Sequence, residues 1–281
     1  MKAVIPAAGF GTRFLPITKA VPKEMLPLGD RPVIHYVVEE AAAAGFDEVL
    51  LIISAGKESI CKYFEPDPAL EDYLLAKGKA DALESVREAT SLASISYALQ
   101  PEMRGLGDAV RLARDFVGND RSFAVLLGDT VMRRGSPLPA MVGAWENLRM
   151  PSVALEPCPP ERVSRYGIAG GRQVAAGIFE LDRLAEKPSR SEAPVLTGEG
   201  GHALPPHAFA ARYLFTPAIF DFLDATEPGL GGEIQLTDAM DALRRHGGLL
   251  GVTWPGKRLD IGSPDGLIEA AVAMRAGHPH G

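Results

Sequence analysis

Cysteine is scarce in this chain: only Cys61 and Cys158 occur in 281 residues. Two thiols and six dispersed histidines form neither a disulfide framework nor a zinc-ligand spacing, so both cysteines read as plain thiols of a reducing compartment. Long apolar runs are missing as well. The opening run is about six residues long before it meets glycines, too short for a signal-peptide core, and no stretch approaches the ~18 residues that span a bilayer. The expectation is a cytoplasmic protein with no membrane partner. Basic surplus is also lacking, since the formal net charge is −7. Nucleic-acid polymers are thereby disfavoured as partners, because their binding leans on excess Lys and Arg. Small anionic ligands need only a local cluster of cations and remain open. No Pro/Ser-rich linker, repeat or low-complexity block divides the chain, which predicts one continuous unit over residues 1–281 with two lobes.

What is present is an alternation of apolar strands and helices. Lys2 to Ala7 reads as a buried strand, Tyr36 to Ala44 as a helix stopped by Gly45, and Glu48 to Ser54 (EVLLIIS) as the next strand. The rhythm continues with a helix over Glu58 to Phe64, a strand over Ser94 to Gln100, a helix over Asp108 to Val117 and a strand over Phe123 to Gly128. Such spacing predicts an α/β fold with a parallel sheet covered on both faces, and ligands beyond the carboxyl ends of the strands. Residues 65–93 read as an inserted helical hairpin for packing or subunit contact. After Pro151 the pieces become more strand-like (SVALEP, HAFAARYLF), with helices over Glu233 to Arg245 and Pro264 to Ala276 and a disordered HPHG tail.

The first strand runs into Gly9-Phe10-Gly11-Thr12-Arg13. A dinucleotide fingerprint needs a third glycine where Phe14 stands, and the EVLLIIS strand ends without the acidic residue that would hold a ribose. An NAD site is disfavoured, and no Gly-Lys-Ser/Thr string exists to make a P-loop. A lone Gly-x-Gly is most often a tight strand exit. Here Arg13, Lys19 and Lys23 follow at short intervals, and backbone amides turned outward by glycines together with cations suit a polyphosphate. No Ser/His/Asp or Cys/His set is evident, so direct displacement is expected rather than a covalent intermediate.

Gly-x-Gly-Thr-Arg followed by Pro22-Lys23-Glu24-Met25-Leu26-Pro27 resembles the sugar-1-phosphate nucleotidylyltransferases, in particular their bacterial uridylyl branch acting on UTP and glucose 1-phosphate. The resemblance runs nearly end to end through Gly105-Leu106-Gly107, Gly128-Asp129, Arg165-Tyr166-Gly167, Glu186-Lys187-Pro188, Arg212-Tyr213 and Gly232-Glu233-Ile234-Gln235-Leu236-Thr237-Asp238. It implies a Rossmann-like α/β fold with a mixed, mostly parallel central sheet and helices on both faces. The nucleotide-binding half would be about 1–150 and the sugar-binding half about 151–281. It also implies UTP and α-D-glucose 1-phosphate as substrates, UDP-glucose and pyrophosphate as products, Mg²⁺ as cofactor, and a homo-oligomer, dimer or tetramer.

By the same resemblance, Ala8, Gly9, Gly11 and Thr12 border the nucleotide, Arg13 holds the departing phosphates and Lys23 polarises the one attacked. Glu24, Gln100 and Gly105 read the uracil edge, Gly167 and Glu186 receive sugar hydroxyls, and Lys187 grips the sugar phosphate. Asp129 and Asp260 are the metal carboxylates. From the residues alone, Asp129 closes an apolar strand where a carboxylate needs a cation or serves as a turn former, Asp260 reads equally as a turn residue before Gly262, and Lys187 reads as a surface lysine held extended by Pro188. Two positions depart from the family pattern: Thr130 stands where a second polar or acidic residue often follows the metal aspartate, and Asp108 stands where histidine is expected. Thymidylyl transfer and a non-catalytic sugar-nucleotide-binding paralogue are the alternatives.

Overall fold

The EVLLIIS strand is apolar on both faces, and the reason is visible in a computed structural model, which describes residues 1–229 and 232–275. In the first third of the chain lie β1 (Lys2–Pro6), the short β2 (Pro27–Leu28) and β3 (Arg31–Pro32), α1 (Val33–Ala43), β4 (Glu48–Ile53), α2 (Glu58–Phe64), α3 (Pro68–Ala76), α4 (Ala80–Ser91) and β5 (Ser94–Leu99). Next come α5 (Leu106–Arg111), α6 (Arg114–Val117), β6 (Phe123–Leu126), β7 (Thr130–Arg133), α7 (Leu138–Leu148) and β8 (Ser152–Pro157). The remainder supplies β9 (Gly167–Ala175), β10 (Ile178–Glu186), β11 (Leu196–Thr197), β12 (His207–Phe215), α8 (Ile219–Ala225), α9 (Leu236–Gly247), β13 (Leu250–Thr253), β14 (Lys257–Asp260) and α10 (Pro264–Arg275).

Ten strands form one sheet in the order β11-β9-β10-β13-β8-β12-β6-β1-β4-β5. Successive side chains of a strand point to opposite faces. Val49, Leu51 and Ile53 therefore enter one core with α1 and α2, while Leu50 and Ile52 enter a second core with Val110, Phe220 and Met240. Ala3 and Ile5 against Val4, and Ala124 and Leu126 against Phe123 and Val125, divide in the same way. Each fully buried Val, Leu or Ile contributes roughly 1.5–3 kcal/mol, which explains why Val49 to Ile53 and Phe123 to Leu126 are apolar without a break.

The mostly parallel sheet expected from the sequence needs correction. The strand β1 pairs in parallel with β4 and β6, and β4 with β5, but β12 runs antiparallel to β6, β8 and β9, and β10 antiparallel to β9 and β13. With β8–β13 and β9–β11 parallel, the pairings are evenly mixed. Helix-length crossovers enforce parallel order before residue 127. Beyond it, β9 and β10 are joined by a tight turn that permits only antiparallel pairing. Element boundaries also shift: α1 begins at Val33 rather than Tyr36, the predicted helix over Asp108 to Val117 is split into α5 and α6, and α9 begins at Leu236 rather than Glu233. The HPHG tail lies outside the described residues. Among the described residues no helix is long and apolar enough to cross a membrane.

Candidate active site

The loops after β1, β5 and β6 converge at the carboxyl edge of the parallel strands, as the topology requires. The Ala7 amide extends the β1–β4 ladder by donating to Ile52 O at 2.7 Å, and the chain then peels away through Ala8 and Gly9. Gly11 has φ +63°, and a Cβ there would stand 3.0 Å from Thr18 Cγ2, so only glycine suits the turn. Gly105 is more constrained still, with φ +98° and a Cβ position 2.8 Å from Ile234 O. Between these loops lies a cavity of about 410 Å³ lined by Ala8, Gly9, Gly11, Thr12, Lys23, Glu24, Gln100, Gly105 and Asp129 among others. Nine of the residues singled out in the sequence therefore share one wall.

Two ion pairs underlie this cavity. Lys23 Nζ donates to Asp129 Oδ2 at 2.6 Å, and Lys57 Nζ donates to Glu24 Oε2 at 2.8 Å and to Ala7 O at 2.6 Å. Burial works to raise the Asp129 carboxyl, but the Lys23 ammonium overrides it and holds the group below the usual carboxylate range. Burial likewise works against the Lys23 ammonium, and Asp129 more than compensates, leaving it above an ordinary lysine. Deeper down the balance reverses: burial pushes Glu24 up and Lys57 down, and their mutual attraction offsets this only in part. Lys57 was not singled out in the sequence. A lysine in Ser-Ala-Gly-Lys after a strand looks solvated, and only its burial at 7% exposure marks it as part of the site.

Asp129 lies in the turn between β6 and β7, and Asp260 ends β14. Because β14 pairs antiparallel with β7, Asp260 opposite Thr130, the two aspartates become neighbours although 131 positions separate them in the chain. Ile261 N donates to Asp129 O at 3.0 Å, which locks that register. A Cβ on Gly262 would lie 3.0 Å from Asp260 Oδ1, 3.4 Å from Arg13 Nη1 and 3.9 Å from Asp129 Oδ2, so these three groups converge on one point. Asp260 is further held by Tyr166 Oη, 3.3 Å from its Oδ2. Tyr166 in turn stacks under the Arg258 guanidinium, 4.4 Å from the ring centroid.

Gly167 and Glu186 face each other across β9 and β10 at the edge of a second cavity of about 170 Å³. A Cβ on Gly167 would collide with the Phe209 ring at 2.3 Å. Thr237 Oγ1 donates to Glu186 Oε2 at 2.8 Å, fixing the carboxylate; Thr237 belongs to the quoted Gly232–Asp238 motif, yet its identity gave no hint of this contact. Leu106 and Leu127 line both cavities and are their shared wall. Lys187 is half exposed beside this cavity, with Nζ 3.3 Å from Glu186 Oε1. It is not extended as Pro188 suggested: its φ is +46°, because its amide donates to Tyr166 O at 3.1 Å and the chain must turn sharply there. Non-glycine residues in the left-handed region cost roughly 1–3 kcal/mol and concentrate at functional sites.

Two features belong to the frame rather than to the site. Arg212, from the Arg212-Tyr213 motif, is fully buried; it donates to both Glu40 oxygens at 3.1 and 2.6 Å and to Thr130 O at 2.8 Å, bracing the turn that carries Asp129. His35, Glu39 and Glu88 cluster as metal ligands do, but Arg31 already contacts all three, at 2.9, 3.4 and 2.8 Å, and supplies the positive charge.

Comparison with known proteins shows the family. The profile of the nucleotidyl transferase family matches residues 2–277. The UTP--glucose-1-phosphate uridylyltransferase of Bacillus subtilis is 41% identical over 268 residues, covering 95% of this chain and 88% of its own length. Among solved structures, a UDP-glucose pyrophosphorylase complexed with UDP-glucose superposes with a TM-score of 0.86 at 36% identity, covering 99% of both chains. The UTP-bound enzyme of Acinetobacter baumannii gives 0.88 at 33% identity, covering 99% of this chain and 94% of that one. Matched by that profile over residues 2–277 and 41% identical to a relative across 95% of its length, the protein belongs to the nucleotidyl transferase family.

Proposed function

We propose that this chain transfers the uridylyl group of UTP to α-D-glucose 1-phosphate, forming UDP-glucose and releasing pyrophosphate by direct in-line displacement. The observation that carries the reading is the pair of cavities that meet at Leu106 and Leu127, one ending in Lys23 and Asp129 and the other in Glu186. A nucleotide and a sugar phosphate entering these two cavities would bring their phosphates together at that wall. The names of relatives that cover nearly the whole chain support the same substrates.

An oxygen of the sugar phosphate forms a bond to the α-phosphorus of UTP while the bond from that phosphorus to the pyrophosphate oxygen breaks. Two unit charges 4 Å apart interact by about 4 kcal/mol at an effective dielectric near 20, so bringing two polyanions together demands cations. Arg13 and the amides from Gly9 to Thr12 hold the departing phosphates, Lys23 polarises the phosphate under attack, and Lys187 steers the sugar phosphate into line. Ala8, Glu24, Gln100 and Gly105 surround the base, and Gly167 and Glu186 take sugar hydroxyls. Asp129 and Asp260 would hold Mg²⁺. They offer hard oxygen donors converging with Arg13, and a cation, the Lys23 ammonium, already rests on Asp129. When bound, the metal ion offsets charge on the phosphate oxygens. The nucleotide half is about 1–150 and the sugar half about 151–281. The assembly is a cytoplasmic homo-oligomer, dimer or tetramer, and light scattering in solution tests its size.

The functional test is pyrophosphate release with each nucleoside triphosphate and glucose 1-phosphate, with and without Mg²⁺. Release from UTP that requires both the sugar phosphate and the metal is expected. Preferential use of dTTP would assign the chain to thymidylyl transfer, and UTP binding without turnover would make it a non-catalytic paralogue.

A further inference from the structure

Gln100 is 3% exposed, follows β5 and presents its side chain to the larger cavity. Its Nε2 donates to Asp108 Oδ2 at 3.0 Å and to Gly105 O at 3.3 Å. Asp108 is 2% exposed on α5, and its other oxygen accepts from Arg111 Nη2 at 2.7 Å and Arg104 Nη2 at 3.1 Å. An ionised carboxylate and a backbone carbonyl can only accept hydrogen bonds. Both partners therefore demand the NH₂ end of the amide, and the carbonyl Oε1 is the end that faces the cavity.

We propose that Asp108 is a positioning residue for base selection: it fixes the Gln100 amide so that this side chain shows the base an acceptor and no donor. The proposal rests on the larger cavity being the UTP site. An acceptor at this point pairs with the N3–H of uracil. Cytosine brings a lone pair on N3 instead, which would face the lone pairs of Oε1 with neither group satisfied. Unpaired buried polar groups are costly, so the uracil edge is preferred to the cytosine edge by roughly 10²-fold. Thymine shares the uracil edge and passes this particular filter. The two guanidiniums matter because they occupy one oxygen of Asp108 and keep the carboxylate from turning away from Gln100.

The test is the ratio of kcat/KM for UTP to that for CTP in Asp108→Asn. In that variant Arg104 and Arg111 claim the new amide oxygen, so its NH₂ points at Gln100. Gln100 must then turn Oε1 toward it, and the pocket shows a donor. The UTP:CTP ratio is expected to fall at least tenfold while dTTP continues to track UTP, whereas Asp108→Glu, which still only accepts, keeps the wild-type ratio. An unchanged ratio in folded Asp108→Asn would overturn the proposal, since a purely structural role would lower both nucleotides together. If Asp108→Asn does not fold, Gln100→Met takes its place: it should collapse the ratio, and retention of the ratio shows that there is no amide for Asp108 to orient. The wild-type assay separates the two ideas, because a wild-type enzyme without preference for UTP over CTP defeats the functional reading before any variant is measured.

Discussion

The two halves of the active-site edge hold their site lysines at different depths. On the parallel side, Lys23–Asp129 and Lys57–Glu24 are matched cations and carboxylates sunk among the loops after β1, β4 and β6. On the mixed side, Glu186 accepts from the neutral Thr237 hydroxyl and is paired with Lys187, which stands half exposed on a left-handed backbone. A buried charge must be paired wherever burial is deep, so the first half carries its electrostatics as part of its folding. The second half keeps a cation on the surface, where folding depends on it little and an incoming phosphate can meet it.

If that contrast holds, Asp129→Asn has the largest effect. An amide cannot balance a divalent cation or hold Lys23 as a carboxylate does, and turnover is expected to fall on the order of 10³-fold with the fold retained. Near-normal rates across a Mg²⁺ titration would remove Asp129 from the metal site. Lys57→Met should be mainly a stability variant, because it strands the Glu24 carboxylate in the interior; breaking one side of a buried pair costs roughly 3–5 kcal/mol. Chemical denaturation should show this loss, and Lys57→Met combined with Glu24→Gln should recover part of it.

Lys187→Ala is the mirror case. Its stability should stay near wild type while kcat/KM for glucose 1-phosphate drops about 10²-fold and the KM for UTP barely moves. Equal weakening of both substrates would erase the contrast between the halves. Thr237→Val removes one hydrogen bond to Glu186, and a net loss of about 1 kcal/mol predicts a several-fold rise in the KM for the sugar phosphate. The smallest effect concerns His35, far from the chemistry. Burial, with help from Arg31, holds His35 below an ordinary histidine, so the unfolded chain takes up a proton at higher pH than the folded one. Its contribution to stability is complete above the unfolded value and is lost as pH falls through the folded one. His207 is depressed in the same direction, so the readout is the difference: His35→Gln should lose less stability on acidification than the wild type.

Much of the parallel half was legible because local signals agree with one another there. Helix α2 spans Glu58–Phe64 as its apolar spacing predicted, and Phe123 to Leu126 is a strand buried on both faces. The mixed half was less legible. SVALEP and HAFAARYLF are strands as read, but nothing in an apolar nine-residue run states whether its neighbour is parallel, so the antiparallel role of β12 escaped notice. The resemblance named Glu24, Gln100 and Glu186 by position, but not what holds them: Lys57 went unnamed, Asp108 stood only as a departure from the family pattern and Thr237 only as part of a motif. Lys57, Thr237 and Asp108 have the composition of loops and helix starts, and only their partners distinguish them.

The amino-acid sequence by itself determined the glycine turns, the alternating strands of the parallel side and the family to which the chain belongs. Each depends on residue types at short separations: a positive φ at Gly11, an unbroken apolar run in EVLLII, a string of motifs in fixed order. Tertiary structure alone decided which carboxylate meets which cation. Asp129 and Asp260 become neighbours through the β7–β14 pairing, and Gln100 shows its carbonyl to the cavity because a helix begun at Leu106 brings Asp108 against its amide. Hydrogen bonds and ion pairs act over about 3 Å. Residues far apart in sequence come within that range only once the sheet has fixed its register.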